Sequence, residues 1–302
     1  MKFGSLVDCL ITNREQFNNI YAVADIPETP ETMIPVLSSL LNDPEIAGVT
    51  DLSAVDDSVI LRALNENGVY QNNWSPTTKT EKVRKAITEI FNTIVAVRGK
   101  EVITASTYEK AMGCVNALYE SFPEVFGPIQ QMHDGELITE TLFQLKFRAN
   151  YIGVPVRCMP DVIKVNHNTK TVTIYDIKTC HYPEYEFYRA FIQNRYDIQA
   201  EEYWWNVRYN LDNDPYFKEF TLTDFQFVVV NPDNPQPLQW VWEKDKITPD
   251  GNYGSQRMVR LKKWNVLAKE LWGYITSAAA LPSNINPVRP NSLIDTINNI
   301  YV

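Results

Sequence analysis

The chain has 302 residues, with 28 Lys and Arg against 37 Asp and Glu and a formal net charge of −9. Its 44% hydrophobic and 22% charged residues sit near globular averages, which argues against a disordered chain, a fibrous repeat or a bundle of membrane spans. No apolar run approaches the roughly 20 residues of a spanning helix, and Asp8 interrupts the short apolar opening segment with no small-residue cleavage site after it. A cytoplasmic protein with no membrane partner is therefore expected.

The charge is uneven. Residues 1–60 hold two basic against ten acidic residues, a balance of −8, leaving −1 for the rest. A local basic surface facing a polyanion is compatible with that distribution. Cys9, Cys114, Cys158 and Cys180 lack C-x-x-C spacing and are expected as buried reduced thiols rather than as a zinc knuckle or disulfide framework. The three histidines, His133, His167 and His181, lack the H-x-x-x-H spacing of zinc hydrolases. The chain also has no G-x-x-x-x-G-K-[ST], G-x-G-x-x-G or G-x-S-x-G sequence, so no nucleotide cofactor and no serine esterase chemistry are expected.

In chain order, Phe3–Ile11 is a short apolar stretch, and Ile26–Pro35, with three prolines, reads as a connector. Met33–Leu41, Ala54–Leu64 and Lys79–Val97 carry helical periodicity, followed by a helix over Thr104–Glu120 capped by Thr104 or Ser106. The texture changes at Glu140. Thr141–Ala149 alternates apolar and polar residues, Gly153-Val154-Pro155 marks a turn, and Val156–Val165 and Thr171–Lys178 read as strands joined at Asn166-His167-Asn168. A long helix is expected from about Glu184 to Tyr209, then strands at Phe225–Val230 and Leu238–Glu243, a helix over Met258–Thr276 and a proline-marked tail. The pattern predicts a mixed central β-sheet flanked by helices, with a helical N-terminal region. One continuous domain over 1–302 is expected: 1–135 mainly helical, 136–280 an α/β core, 281–302 a tail.

The chemistry concentrates around Asp161 and Asp176-Ile177-Lys178-Thr179. Strand alternation puts Asp176 and Lys178 on one face, with Tyr175 and Ile177 on the other. If the preceding strand pairs with this one, Asp161 approaches Asp176, and two such carboxylates repel unless a cation sits between them. Hard oxygen ligands suit Mg²⁺ or Mn²⁺, and a nearby lysine can orient an attacking water or offset charge. On spacing alone strand-end solvation accounts for the same residues more readily, since a lone D-x-K triplet is common by chance. Downstream, Gln199 and Tyr203 are four apart and share a helix face.

Asp161, Asp176-x-Lys178-Thr179 and Gln199-x-x-x-Tyr203, in this order and at these distances, resemble the PD-(D/E)XK nuclease superfamily, in its RecB-like and RecE-like (lambda-exonuclease-like) phage branch. Phe3-Gly4-Ser5-Leu6-Val7-Asp8-Cys9-Leu10 is similar to that family's opening F-G-x-x-x-H-x-L helix, with Asp8 in place of a metal-binding histidine. The family usually carries a further segment before this motif, so part of the surface that admits DNA is expected to be absent or supplied differently. The resemblance implies a restriction-endonuclease-like core and a Mg²⁺- or Mn²⁺-dependent deoxyribonuclease. Asp161, Asp176 and the Ile177 carbonyl would be metal ligands, with Asp8 and Glu140 as further candidates. Lys178 would be the catalytic lysine, and Gln199 and Tyr203 would position the catalytic strand and the DNA end.

It further implies an exonuclease on linear duplex DNA, 5′→3′, acting in phage recombination with a single-strand annealing protein and as a ring-shaped homo-oligomer. No cysteine follows Cys180, so the iron–sulfur cluster of some relatives has no ligands here. Arg195 precedes Gln199 by four and is a candidate phosphate contact, as is Thr179 for DNA. The alternatives are an endonuclease of the same superfamily and a catalytically inactive DNA-binding or structural phage protein.

Overall fold

The computed structural model describes residues 3–70, 73–151, 153–243 and 264–276. By contacts the chain forms two compact units: Glu15–Glu109 lies in the first, while the second joins Lys2–Arg14 to the chain from Lys110 onward. The expected tail at 281–302 and the start of the last helix before Trp264 lie outside the described residues.

The first unit is helical. It contains α2 (Phe17–Ile20), α3 (Ile34–Asn42), α4 (Asp57–Glu66) and α5 (Pro76–Ala96), plus a two-stranded parallel pair, β1 (Tyr21–Val23) with β2 (Glu101–Ile103). Asp56 caps α4 by accepting from the Ser58 amide at 2.8 Å, and Ser75 caps α5 ahead of Pro76. The apolar stripes of α3, α4 and α5 bury Val36, Leu40, Ile60, Leu64, Ile87 and Phe91 in one core.

The second unit opens with α1 (Phe3–Thr12). It resumes within α6 (Ala105–Ser121) and continues through α7 (Pro123–Phe126), β3 (Gln130–His133), β4 (Glu136–Phe143), β5 (Phe147–Tyr151), β6 (Val154–Cys158), β7 (Val162–Asn166) and β8 (Thr171–Thr179). Then come α8 (Phe187–Gln193), α9 (Tyr196–Asn213), β9 (Thr221–Leu222), β10 (Phe225–Val230), β11 (Leu238–Trp242) and α10 (Trp264–Thr276). The main sheet runs β11-β10-β8-β7-β4-β3, with β9 beside β8. It is mixed: β8 is antiparallel to β7 and parallel to β10, and α8 and α9 make the crossover that a parallel neighbour requires. All six residues of β10 are buried, as befits a strand covered on both faces. This is the mixed, helix-flanked sheet that the residue pattern predicts.

Two local departures from the sequence reading shape the site. Val156–Val165 is not one strand. The chain breaks at Met159-Pro160-Asp161, because proline has no N–H for a ladder, and β6 pairs with β5 as a separate two-stranded hairpin while β7 enters the main sheet. The long helix from Glu184 is likewise broken between α8 and α9, where Arg195 takes a left-handed backbone (φ 55°), the conformation that ends helices. All four cysteines are buried free thiols. Among the described residues no helix is long and apolar enough to cross a membrane.

Candidate active site

The β7–β8 register pairs Val162 with Tyr175, which brings Asp161, just before β7, opposite Asp176. The Asp161 Oδ2 atom accepts from the Ile177 amide at 2.7 Å, and the Asp161 carbonyl accepts from the Gln144 amide at 3.1 Å. Along β8, burial alternates through Val172, Ile174 and Asp176, so Asp176 stands on the face that carries the buried apolar residues and is 2% exposed. Lys178 follows two residues later on the same face, with Nζ 2.5 Å from Asp176 Oδ2 and 4.6 Å from the centroid of the Tyr196 ring.

Helix α9 supplies the next partner. Gln199 Nε2 donates to Asp176 Oδ1 at 2.7 Å. Tyr203, one turn on, packs edge-on against Phe225 at 6.2 Å, and burial first, then the Asp176 charge, pushes its phenol far above the usual value. Helix α1 supplies Asp8. A Cβ on Gly4 would stand 2.9 Å from Thr179 Oγ1, so glycine lets α1 approach β8 closely, and Asp8 lies one turn beyond Gly4. Asp8 Oδ2 accepts from Gln144 Nε2 at 2.9 Å, and its Oδ1 accepts from Thr12 Oγ1 at 3.3 Å.

These groups share one field. Burial, then repulsion from Asp176 and Asp8, pushes the Asp161 carboxyl well above the usual carboxylate range, with Lys178 and the Ile177 amide offsetting only part. Asp8 is pushed up to about 6, chiefly by burial, with Asp176 adding repulsion and the hydrogen bonds from Thr12 and Gln144 opposing it. For Lys178, burial works against the ammonium, but the Asp176 and Asp161 charges outweigh it and hold the amine protonated above its ordinary value.

The donor chemistry fits a hard divalent cation. Three carboxylates share a field with one ammonium, and the buried Asp176 Oδ2 meets Lys178 Nζ at 2.5 Å. Asp161 and Asp176 would hold such an ion, with Asp8 nearest in field. As they stand, no three His, Cys, Asp or Glu side chains among the described residues are grouped closely enough to hold a metal.

The structure therefore brings together Asp161, Asp176, Lys178, Gln199 and Asp8, with Tyr203 beside them. It places two other candidates elsewhere. Glu140 pairs with Val165 in register, while the Asp161 end of β7 pairs with Phe143, so three residues of strand, roughly 10 Å, separate Glu140 from that end. Its carboxylate instead engages His167 Nε2 at 3.1 Å, and His167 Nδ1 meets the Tyr216 hydroxyl at 3.0 Å. Arg195 does not share a helix face with Gln199, because it precedes α9 in its left-handed conformation, and its guanidinium pairs in two places with Asp197, at 2.9 and 3.0 Å. Thr179 sits against Gly4, with its backbone paired to Val230. Ile177 shows its amide engaged by Asp161.

Three residues that pattern reading passes over take part. Gln144 ties Asp8 to Asp161, Thr12 buttresses Asp8 from one helical turn away, and the Tyr196 ring backs Lys178. Only Thr12 carries a local signal, its i+4 spacing from Asp8. Beside Tyr203, Glu202 is buried with its carboxyl pushed up to about 8 by desolvation, against a hydrogen bond from Asn206 at 3.3 Å. No protein-family model matches the chain, and no curated protein matches it.

Proposed function

We propose that this protein is a metal-dependent deoxyribonuclease that hydrolyses phosphodiester bonds of linear duplex DNA. The observation that carries the reading is the convergence of Asp161, Asp176, Lys178 and Gln199 from β7, β8 and α9 into one buried, electrostatically imbalanced cluster. A bound Mg²⁺ or Mn²⁺ supplies Lewis acidity toward the phosphate and a readier nucleophile from water.

The chain's own residues do the rest. Asp161 fixes β8 between Asp176 and Lys178 through the Ile177 amide, which holds the two charged side chains in register. Gln199 orients Asp176 by occupying Oδ1, leaving Oδ2 directed toward Lys178. Lys178, beside Asp176 at 2.5 Å, would orient the attacking water and stabilise negative charge developing on the phosphate. The Tyr196 ring backs the Lys178 ammonium at 4.6 Å. The preference for DNA ends and the 5′→3′ polarity come from the resemblance to RecE-like enzymes.

The test is incubation of the purified protein with 5′-labelled linear duplex, closed circular duplex and single strands, in Mg²⁺ or in EDTA. Mg²⁺-dependent loss of linear duplex alone is the expected result. Cutting of the closed circle would replace the exonuclease reading with an endonuclease one, and no cutting with Mg²⁺ or Mn²⁺ would refute the enzyme.

A further inference from the structure

Helix α8 is largely apolar on both faces. Phe187 and Ala190 turn inward and are buried, as an amphipathic helix requires. The outward face nevertheless carries exposed Tyr188 and Ile192, with Tyr185, 66% exposed, and Tyr182 just ahead of the helix. Tyr185, Tyr188 and Ile192 recur at helical spacings of three and four, which sets them in one row. Arg189 joins the row, its guanidinium carbon 5.7 Å from the Tyr182 ring centroid and 5.9 Å from that of Tyr188. An aromatic row facing solvent in this way marks a surface that binds something.

The row has a fixed base close to the carboxylate cluster. The Tyr182 carbonyl accepts from Asn231 Nδ2 at 3.1 Å, and the buried Glu184 carboxylate accepts from the Asn231 and Gln236 amides at 3.0 and 2.9 Å. These bonds tie the chain ahead of α8 to the loop that follows β10. Tyr182 comes four residues after Lys178, a backbone reach of at most about 14 Å even when fully extended. Beside Tyr185 opens a cavity of about 560 Å³, within the range of small-ligand sites. Its lining includes Glu120, Asn234 and Gln236 and, among the described residues, no Lys, Arg or His. Carboxylates and amides are side chains that hydrogen-bond base edges, whereas an acid with no base beside it repels phosphate. The cavity therefore suits a neutral, flat, hydrogen-bonding ring.

We infer that Tyr182, Tyr185, Tyr188 and Arg189 form a stacking platform for the unpaired bases of a single DNA strand, with one base entering the cavity beside Tyr185. The inference rests on the nuclease reading and adds to it where a strand lies once it has left the duplex next to the cluster. Every base has a flat face that a tyrosine ring or a guanidinium plane covers, so the platform tolerates any sequence. Stacking needs rings rather than charge, so loss of the tyrosines weakens binding without changing its salt dependence.

The test is fluorescence anisotropy of labelled oligo-dT and of a labelled abasic strand of the same length, each titrated with the full chain in EDTA at several salt concentrations. The variants are Y185A/Y188A and the ring-preserving Y185F/Y188F. Both positions are exposed, and circular dichroism melts establish that each variant is folded. The platform predicts that the wild type binds oligo-dT at least about tenfold more tightly than the abasic strand, and that the alanine pair loses at least about tenfold in oligo-dT affinity. The salt slope of the alanine pair should match the wild type, and the phenylalanine pair should bind nearly as the wild type does. Unchanged oligo-dT affinity in the folded alanine pair would overturn the platform while leaving the nuclease reading intact. A dimer in sedimentation velocity that the alanine pair dissociates would do the same, since a second copy would then cover the row. A wild type that cuts linear duplex in Mg²⁺ without binding oligo-dT would also overturn the platform alone, and one that neither binds nor cuts would overturn both.

Discussion

Gln199 Nε2 lies 2.7 Å from Asp176 Oδ1, so a helix side chain holds a strand carboxylate that is 2% exposed and whose other oxygen meets the Lys178 ammonium. The bond satisfies one acceptor of a buried charge. Gln199→Leu would leave Oδ1 without one, and a stability loss of about 1–3 kcal/mol is expected in urea denaturation. An unchanged midpoint would mean that the amide contributes nothing to the fold.

Lys178 is the one ammonium set among the carboxylates of Asp8, Asp161 and Asp176. Its pKa is raised in the folded state, so the stability it contributes is fully present below the ordinary lysine value and is lost only as pH rises beyond it. Lys178→Met removes that charge while keeping the length of the side chain. A loss of about 3–5 kcal/mol is expected near pH 8, shrinking toward pH 5 as the carboxyls of the variant take up protons. A pH-independent loss would assign the effect to packing instead.

Asp161→Asn keeps an oxygen for the Ile177 amide and removes one like charge from the cluster. The variant is expected to melt at a higher temperature than the wild type in EDTA. Millimolar Mg²⁺ is expected to raise the melting temperature of the wild type and to raise that of the variant much less, since ligand binding raises stability only through a competent site. Equal Mg²⁺ shifts in both proteins would remove Asp161 from the metal site.

How far the site can be read in advance depends on how local its geometry is. Asp176 and Lys178 share a face through strand alternation, and Asp161 reaches Asp176 because a hairpin joins β7 to β8, so both relationships are visible in residue spacing. Gln199 is placed by a helix whose direction is set by the parallel crossover, and its role follows from the motif. Glu140 fails because strand register, not proximity in sequence, decides which end of β4 meets Asp161. Arg195 fails because a left-handed break in a non-glycine residue has no signature in helical periodicity. Gln144 is hidden for a similar reason, since nothing in a strand-end glutamine announces that α1 will return against it. Likewise, the division at Glu109 and Lys110 falls inside one continuous helix, α6, where composition does not change.

Glu202 offers a pH test outside the cluster's acids. Its folded pKa of about 8 is raised above the usual value by burial, so the stability tied to its protonated form is full below about pH 4.5 and is lost as pH rises through 8. Glu202→Gln should therefore stabilise the protein at pH 9. It should also flatten the decline between about pH 5 and 8 by up to about 1.4 kcal/mol per pH unit, measured by urea denaturation across that range. A variant whose pH profile parallels the wild type would place the ionised carboxylate in water.

The most direct measurement is the single-turnover rate of cutting of a 5′-labelled linear duplex in Mg²⁺ by the wild type, Asp176→Asn and Lys178→Ala, each shown to be folded by circular dichroism. The account predicts Mg²⁺-dependent cutting by the wild type that falls by at least about a hundredfold in both variants, as expected when a group stabilising the transition state is removed. A wild-type protein that cuts nothing, or folded variants that cut at its rate, would contradict it.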